Sequence, residues 1–260
     1  MARKSSPIRL PAPYLRRVTL DVARVANWNS YPFCLPLFHG RTFDFAFEKP
    51  VTIIVGENGS GKSTLLEAIA VFAGFDPAGG GSGYRLVDHS KALEGSGGEL
   101  ASALRAQWLP KITSGWFFRA ESFFSIARYL DEAALDASKW LPTGPPPDFL
   151  SHSHGEGFLR FFAERANKRG LYIFDEPESA LSPTRQIEFL KLLRAMELEH
   201  GGQIIIATHA PILMAYPGAQ LVHLTKYGLA EIALRETDHF RLLREFFVSP
   251  EDFIATMLEI

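Results

Sequence analysis

The chain holds a single cysteine, Cys34, among 260 residues. No disulfide can close within it, so packing must hold the core, and such sparing use fits a reducing compartment. A lone cysteine is expected as a small buried apolar residue rather than as a nucleophile. No apolar run approaches the roughly 18 residues that span a bilayer. The opening stretch MARKSSPIRLPAPYLRRV is basic (Arg3, Lys4, Arg9, Arg16, Arg17) but lacks the apolar segment of a secretory signal. These absences predict a cytoplasmic protein with a basic arm at residues 1–14, either solvated or set against an acidic partner. An excess of positive charge is also missing: 27 Lys and Arg against 29 Asp and Glu give a net charge of −2. That excludes a global basic coat for nucleic acid while leaving a local patch open. Sustained heptads and internal repeats are missing too, which excludes a coiled-coil rod or a solenoid.

What the chain does have is apolar mass. At 47% hydrophobic residues it can bury one sizeable core, and its length suits one large domain, residues 1–260. LRRVTLDV (15–22) alternates as a strand does. FDFAFEKPVTIIVG (43–56) reads as an amphipathic strand followed by a buried, β-branched one. STLLEAIAVFAG (63–74) predicts a helix closed by glycine. The Gly-rich stretch containing residues 79–83 reads as a loop, residues 85–120 are mixed, and GWFFRA (115–120) has strand character. Further helices are predicted over 122–135, about 155–168 and 182–200, with the Pro-rich break LPTGPPPDF (141–149) as a hinge. LYIF (171–174) and QIIIAT (203–208) are two more buried runs, QLVHLT and LAEIAL a closing hairpin, and two short helices finish the chain. Buried apolar strands alternating with helices predict an α/β fold, its parallel sheet covered on both faces.

Three motifs sit at the ends of the three buried strands. GENGSGKST starts at Gly56, and Gly56, Gly61, Lys62 and Ser63 satisfy G-x-x-x-x-G-K-[ST] between a strand and a helix. In such a P-loop the backbone N–H groups of Gly56, Glu57, Asn58, Gly59, Ser60 and Gly61, with Lys62, Ser63 and Thr64, cradle phosphates at a helix N-terminus. Lys62 places a point charge at the β- and γ-phosphates, and Ser63 offers a hydroxyl to Mg²⁺. LYIFDEPE ends in Asp175 and Glu176, whose side chains alternate and so take different work. Asp175 suits Mg²⁺, and Glu176 suits activation of the attacking water. IIIATHAP places His209 where it would sense a γ-phosphate.

SHSHGEGFL (151–159) is open to several readings. Its His152, His154 and Glu156 have spacing for zinc, but no further Cys or His cluster follows. Its Ser–His pairs lack a nucleophile elbow and a third member. It also suits a plain capped helix, or an anion site in which Ser153 caps the helix and works with the Gly155 N–H and the positive helix end.

The order of GENGSGKST, SHSHGEGFL, LYIFDEPE, SALS and ATHAP resembles the ABC-type ATPase superfamily of P-loop NTPases. Ser153-His154-Gly155-Glu156 takes the place of the Ser-Gly-Gly-Gln/Glu signature, with His154 where a glycine is usual. The resemblance implies an ATPase head with a mainly parallel sheet covered by helices, an N-terminal antiparallel β part and a smaller helical lobe at about 120–168. It implies that Ser153 and Gly155 close over the γ-phosphate held by a second subunit, and that SALS (179–182) carries signals across that dimer. It also implies a loop, normally containing glutamine, between nucleotide and lobe. WFFRAESFF (116–124) stands there without glutamine, so Arg119 or Glu121 would substitute. Tyr31 or Phe33 upstream of the cradle would stack on the base.

Together with GFDPAGG, these motifs look like a family of small stand-alone bacterial ATPases grouped with Rad50-, SMC- and RecF-like AAA-type proteins. That likeness implies ATP and Mg²⁺ as cofactors and hydrolysis of ATP in an ATP-dependent, head-to-tail homodimer. Alternatives are a Rad50-like role with nucleic acid in double-strand break repair or phage defence, an unidentified protein partner, and service as the ATP-binding subunit of a membrane permease.

Overall fold

The computed structural model describes residues 10–38, 41–77, 79–81, 96–120 and 154–259. Two sheets organise the described residues. The smaller is antiparallel, in the order β2-β1-β5, from β1 (Leu15–Leu20), β2 (Asp44–Ala46) and β5 (Leu104–Trp108). It is the antiparallel part expected near the N-terminus, completed by a strand from a stretch whose sequence reads as mixed. The larger sheet adds β3 (Val51–Val55), β4 (Gly80–Gly81), β6 (Gly115–Arg119), β7 (Leu171–Asp175), β8 (Gln203–Ala207), β9 (Gln220–Thr225) and β10 (Gly228–Glu231). Its order is β10-β9-β3-β8-β7-β6-β4. The five inner strands run parallel, and the edge strands β10 and β4 are antiparallel.

The inner strands are apolar throughout because both of their faces are covered. Ile54, Ile173, Ile205 and Phe117 point to one face. There they meet α1 (Lys62–Ala73), α2 (Ser96–Ala103) and the small sheet. Ile53, Val55, Tyr172, Phe174, Ile204, Ile206 and Phe118 point to the other. There they meet α3 (His154–Arg165) and α4 (Pro183–Leu198). Phe174 is fully buried and packs against Phe118, Phe189 and Phe162 at ring-centroid separations of 5.0, 5.1 and 5.2 Å. Burying each such ring contributes about 1.5–3 kcal/mol, so this face is a strong anchor for α3 and α4.

Local chemistry sets the helix ends. Helix α1 stops at Gly74, which is left-handed. The Phe75 N–H bonds the Ala70 carbonyl at 2.9 Å and the Gly74 N–H bonds that of Val71 at 3.0 Å, closing the last turn. Helix α4 starts at Ser182, whose hydroxyl accepts from the Arg185 N–H, with Pro183 in its first turn. The chain ends with the short α5 (Pro211–Met214), the β9–β10 hairpin, α6 (Asp238–Val248) and α7 (Pro250–Met257).

Two expectations are corrected. The glycine-rich stretch is not wholly loop, since Gly80 and Gly81 pair with Phe117 and Trp116 as an edge strand. The physical reason is space: a Cβ on Gly81 would stand 2.7 Å from the Trp116 ring. Cys34 is exposed rather than buried, because Phe33 and Leu37 on either side take the interior positions of that turn. The helix expected over 122–135 and the hinge at 141–149 lie outside the described residues. So does most of the helical lobe, of which α3 is the described part.

Candidate functional site

Strand register brings the three motifs to one end of the large sheet. Ile54 lies beside Ala207, Ala207 beside Asp175, and Asp175 beside Arg119. β3 therefore delivers the loop Gly56–Gly61, β7 delivers Asp175 and Glu176, β8 delivers Thr208 and His209, and β6 delivers Arg119. β8 sits between the loop strand and the acidic strand.

Gly61 takes the N-cap position of α1 with φ of 100°, a left-handed backbone that favours glycine, and a Cβ there would stand 3.0 Å from Leu35 Cδ1. No side chain caps this helix. Its first N–H groups and its positive end are therefore turned to the loop, the arrangement that suits a phosphate. Lys62 is buried at 4% exposure, and its Nζ donates to the carbonyls of Gly56 and Glu57 at 2.8 and 2.9 Å. Burial pulls the Lys62 amine below its ordinary pKa, opposed by the carboxylates of Glu176, Asp175 and Glu178. A cavity of about 370 Å³ opens here, lined by the loop, Lys62, Ser63, Thr64, Glu176, Tyr31 and Leu35.

Asp175 is buried, and its Oδ1 accepts from the Ser63 hydroxyl at 3.1 Å. Burial pushes its carboxyl up to about 6, held back by the Arg119 charge and the Ser63 hydrogen bond. Arg119 Nε stands 3.7 Å from Asp175, and its Nη1 bonds Glu67 of α1 at 2.6 Å. Arg119, Glu67 and Asp175 thus form a buried charge cluster beneath the loop. Glu176 is different: it is half-exposed, faces the cavity, and adopts a left-handed backbone with φ of 48°. A non-glycine residue in that region is held there by its surroundings, a feature typical of functional sites.

His209 Nε2 lies 3.6 Å from Glu176 Oε1. It is buried and has no hydrogen-bond partner, while Nδ1 pairs with His239 Nε2 at 2.9 Å. The His209 backbone N–H donates to Glu178 Oε1 at 2.5 Å. Burial raises the Glu178 carboxyl, with the His209 N–H lowering it. Burial likewise lowers the His209 imidazole, aided by Lys62 and opposed by Glu176.

The residues expected at the site therefore do converge: the loop Gly56–Gly61, Lys62, Ser63, Asp175, Glu176 and His209. Thr64 is close by, but its hydroxyl is engaged with that of Tyr31 at 2.5 Å. Of the two aromatics proposed for the base, Tyr31 is exposed at the cavity and Phe33 is buried in the core. Arg119 is tied into ion pairs; Glu121 lies outside the described residues. So do His152 and Ser153, while α3 begins at the next residue, His154, with Gly155 in its first turn. Sequence reasoning assigned no role to Glu67, Glu178 or His239. Glu178 is inside the quoted LYIFDEPE, whereas nothing local to Glu67 or His239 separates them from ordinary helix residues.

Residues 24–105 match a family model described as an AAA domain. Residues 145–215 match one described as "AAA domain, putative AbiEii toxin, Type IV TA system". No curated protein matches the chain significantly. Among solved structures, "a putative metal-chelate type ABC transporter" in an inward-facing conformation matches at 17% identity, over 91% of this chain and 90% of that one, with a TM-score of 0.48. The SMC head domain from Thermotoga maritima matches at 16% identity, over 85% and 100%, with a TM-score of 0.46. CbiO1 from Clostridium perfringens, part of the ABC transporter complex cbiONQ, matches at 19% identity, over 95% and 99%, with a TM-score of 0.44. The fold is that of an α/β P-loop NTPase, and the loop and its context make it a nucleotide-binding protein. Among the described residues no helix is long and apolar enough to cross a membrane.

Proposed function

We propose that this chain, two segments of which match AAA-domain models, binds ATP with Mg²⁺ and hydrolyses it to ADP and phosphate, working as an ATP-gated head-to-tail dimer. The observation that supports this reading best is that Lys62, Ser63 and Glu176 line one cavity beside the loop, with Asp175 hydrogen-bonded to Ser63 and His209 3.6 Å from Glu176.

Each residue has distinct work. The loop N–H groups and the α1 N-terminus hold the phosphate oxygens. Lys62 exchanges its two carbonyl partners for the β- and γ-phosphates. Ser63 and Asp175 fit a hard divalent cation: a hydroxyl and a carboxylate sit 3.1 Å apart, and burial raises the carboxyl further than the Arg119 charge brings it back. Mg²⁺ held there would neutralise charge building on the phosphates. Glu176 orients a water against the γ-phosphorus and takes its proton as the bond to the ADP oxygen breaks. His209 Nε2, lacking a partner of its own, donates to the γ-phosphate. Tyr31 flanks the base side of the cavity.

The dimer rests on Ser153 and Gly155. The start of α3 directly after Ser153 supports their use as an anion site in trans, read by a second copy. Closure on ATP and release on ADP would follow from γ-phosphate contacts that ADP lacks. SALS (179–182), between the acidic strand and α4, would lie at that interface. The test is steady-state hydrolysis of Mg·ATP. Wild type should turn over, Lys62→Ala should neither bind nor turn over, and Glu176→Gln should bind without turnover. Hydrolysis by Glu176→Gln at the wild-type rate would remove Glu176 as the base.

A second reading, a defence ATPase acting with nucleic acid or a protein partner, draws support from the toxin–antitoxin description of the C-terminal family model. It predicts salt-sensitive stimulation of hydrolysis by duplex DNA, and absence of stimulation at low salt would count against the nucleic-acid form.

A further inference from the structure

Behind the phosphate cradle a second cavity, about 580 Å³, lies between the loop and the start of α6, with His209, His223 and His239 in its wall. His239 carries a contact from α6 to the site: its Nε2 lies 2.9 Å from His209 Nδ1, the two rings 5.1 Å apart between centroids. Its placement is fixed by a built helix start. Thr237, 2% exposed, accepts from the Phe240 N–H at 3.3 Å and donates to the Leu234 carbonyl at 2.8 Å. This holds the first turn of α6 against the sensor strand.

The pair has only one proton to share along its hydrogen bond. Burial and the Lys62 charge lower both imidazoles, joined at His239 by the neighbouring His209, and are opposed by Glu176 at His209 and by Asp238 and Glu178 at His239. The positive end of α6 adds to the lowering. A neutral imidazole carries its proton on one nitrogen, so one ring must donate and the other accept. If His209 donated from Nδ1, its Nε2 would turn a bare lone pair toward Glu176 Oε1 at 3.6 Å, two acceptors facing each other. If His239 donates from Nε2, His209 carries its proton on Nε2, where it meets Glu176 and the γ-phosphate. The second arrangement has no such conflict and leaves the buried His209 Nε2 with a hydrogen to give.

We propose that His239 is a positioning residue: its Nε2–H donates to His209 Nδ1, fixes the tautomer that presents Nε2–H to the γ-phosphate, and so couples the start of α6 to phosphate sensing. This rests on the reading of His209 as the γ-phosphate contact.

The test uses the full chain in three variants, His209→Ala, His239→Leu and His239→Gln, with Mg·ATP hydrolysis, ADP binding and ¹⁵N NMR of the imidazoles. His239→Leu keeps bulk and loses the donor; kcat should fall about tenfold, the worth of one well-placed hydrogen bond, with ADP binding unchanged. His239→Gln restores an N–H donor at the same reach and should recover most of that loss. In wild type the His209 signal should report a proton on Nε2, and His239→Leu should shift it toward Nδ1. A proton on Nδ1 in wild type, unchanged kcat in His239→Leu, or equal losses in the Leu and Gln variants would each overturn the proposal. If His209→Ala itself keeps the wild-type kcat, the γ-phosphate reading of His209 fails, and the coupling of α6 to phosphate sensing falls with it.

Discussion

Asp175→Asn should make the nucleotide-free protein more stable while ending its function. The Asp175 side chain is 6% exposed, and burial moves its carboxyl from 3.8 to about 6 despite the Arg119 charge and the Ser63 hydrogen bond. The folded state therefore binds this proton more tightly than the unfolded chain. Between these two values folding takes up a proton, so stability falls as pH rises through them. The unfavourable contribution is absent below about 3.8 and fully present above about 6. At 1.36 kcal/mol per unit the full size is about 3 kcal/mol. Asparagine removes the charge and keeps an acceptor for Ser63, while Arg119 retains Glu67 at 2.6 Å. That figure is already net of the Asp175–Arg119 attraction, so the gain stands at about 3 kcal/mol, or roughly 6–12 °C in a chain of this size. Thermal unfolding of both proteins between pH 5 and 8, without nucleotide, measures it. The gap should widen from pH 5 to pH 7, and Mg·ATP should stabilise wild type much more than the variant. A variant less stable than wild type at pH 8 would refute the reasoning, since it would mean that the Arg119 attraction outweighs the desolvation of Asp175.

Arg119→Met should do the opposite. It removes the cation set between the buried carboxylates of Glu67 and Asp175 and should cost about 3–5 kcal/mol in urea unfolding, in contrast to the gain from Asp175→Asn. Glu178→Ala removes the acceptor of the His209 N–H, a bond of 2.5 Å. It should cost about 1–3 kcal/mol of stability and lower kcat, while Glu178→Gln, which keeps an acceptor oxygen, should retain most of both. Ser153→Arg should leave nucleotide binding to the single chain intact and block ATP-dependent association, measured by sedimentation with Mg·ATP.

The strands of the phosphate site are legible in the sequence because VTIIV, LYIF and QIIIA are short, β-branched or aromatic runs apolar on both faces, a pattern that suits a covered parallel strand. The motif residues are legible because each stands at the end of such a run. Strand order is not: nothing in QIIIA says that it lies between VTIIV and LYIF, since adjacency is set by the crossovers and the packing of α1 and α4. Helix α2 escapes because SGGELASA has weak helix propensity. It forms against α1, where a Cβ on Gly97 would stand 2.5 Å from that of Glu67. The Arg119–Glu67–Asp175 cluster and the His209–His239 pair join residues far apart in the chain. Local periodicity carries no trace of either. Cys34 shows the limit of type-based expectation: its neighbours Phe33 and Leu37 bury more apolar area and take the interior places.

The central claim, a P-loop ATPase gated by ATP as a dimer, is tested most directly by the solution mass of Glu176→Gln, measured by light scattering behind a sizing column. One chain has a mass of 28.9 kDa. With Mg·ATP the account predicts twice that mass, and with ADP a return to one chain. A single-chain mass in both, with ATP binding confirmed on the same sample, would contradict it.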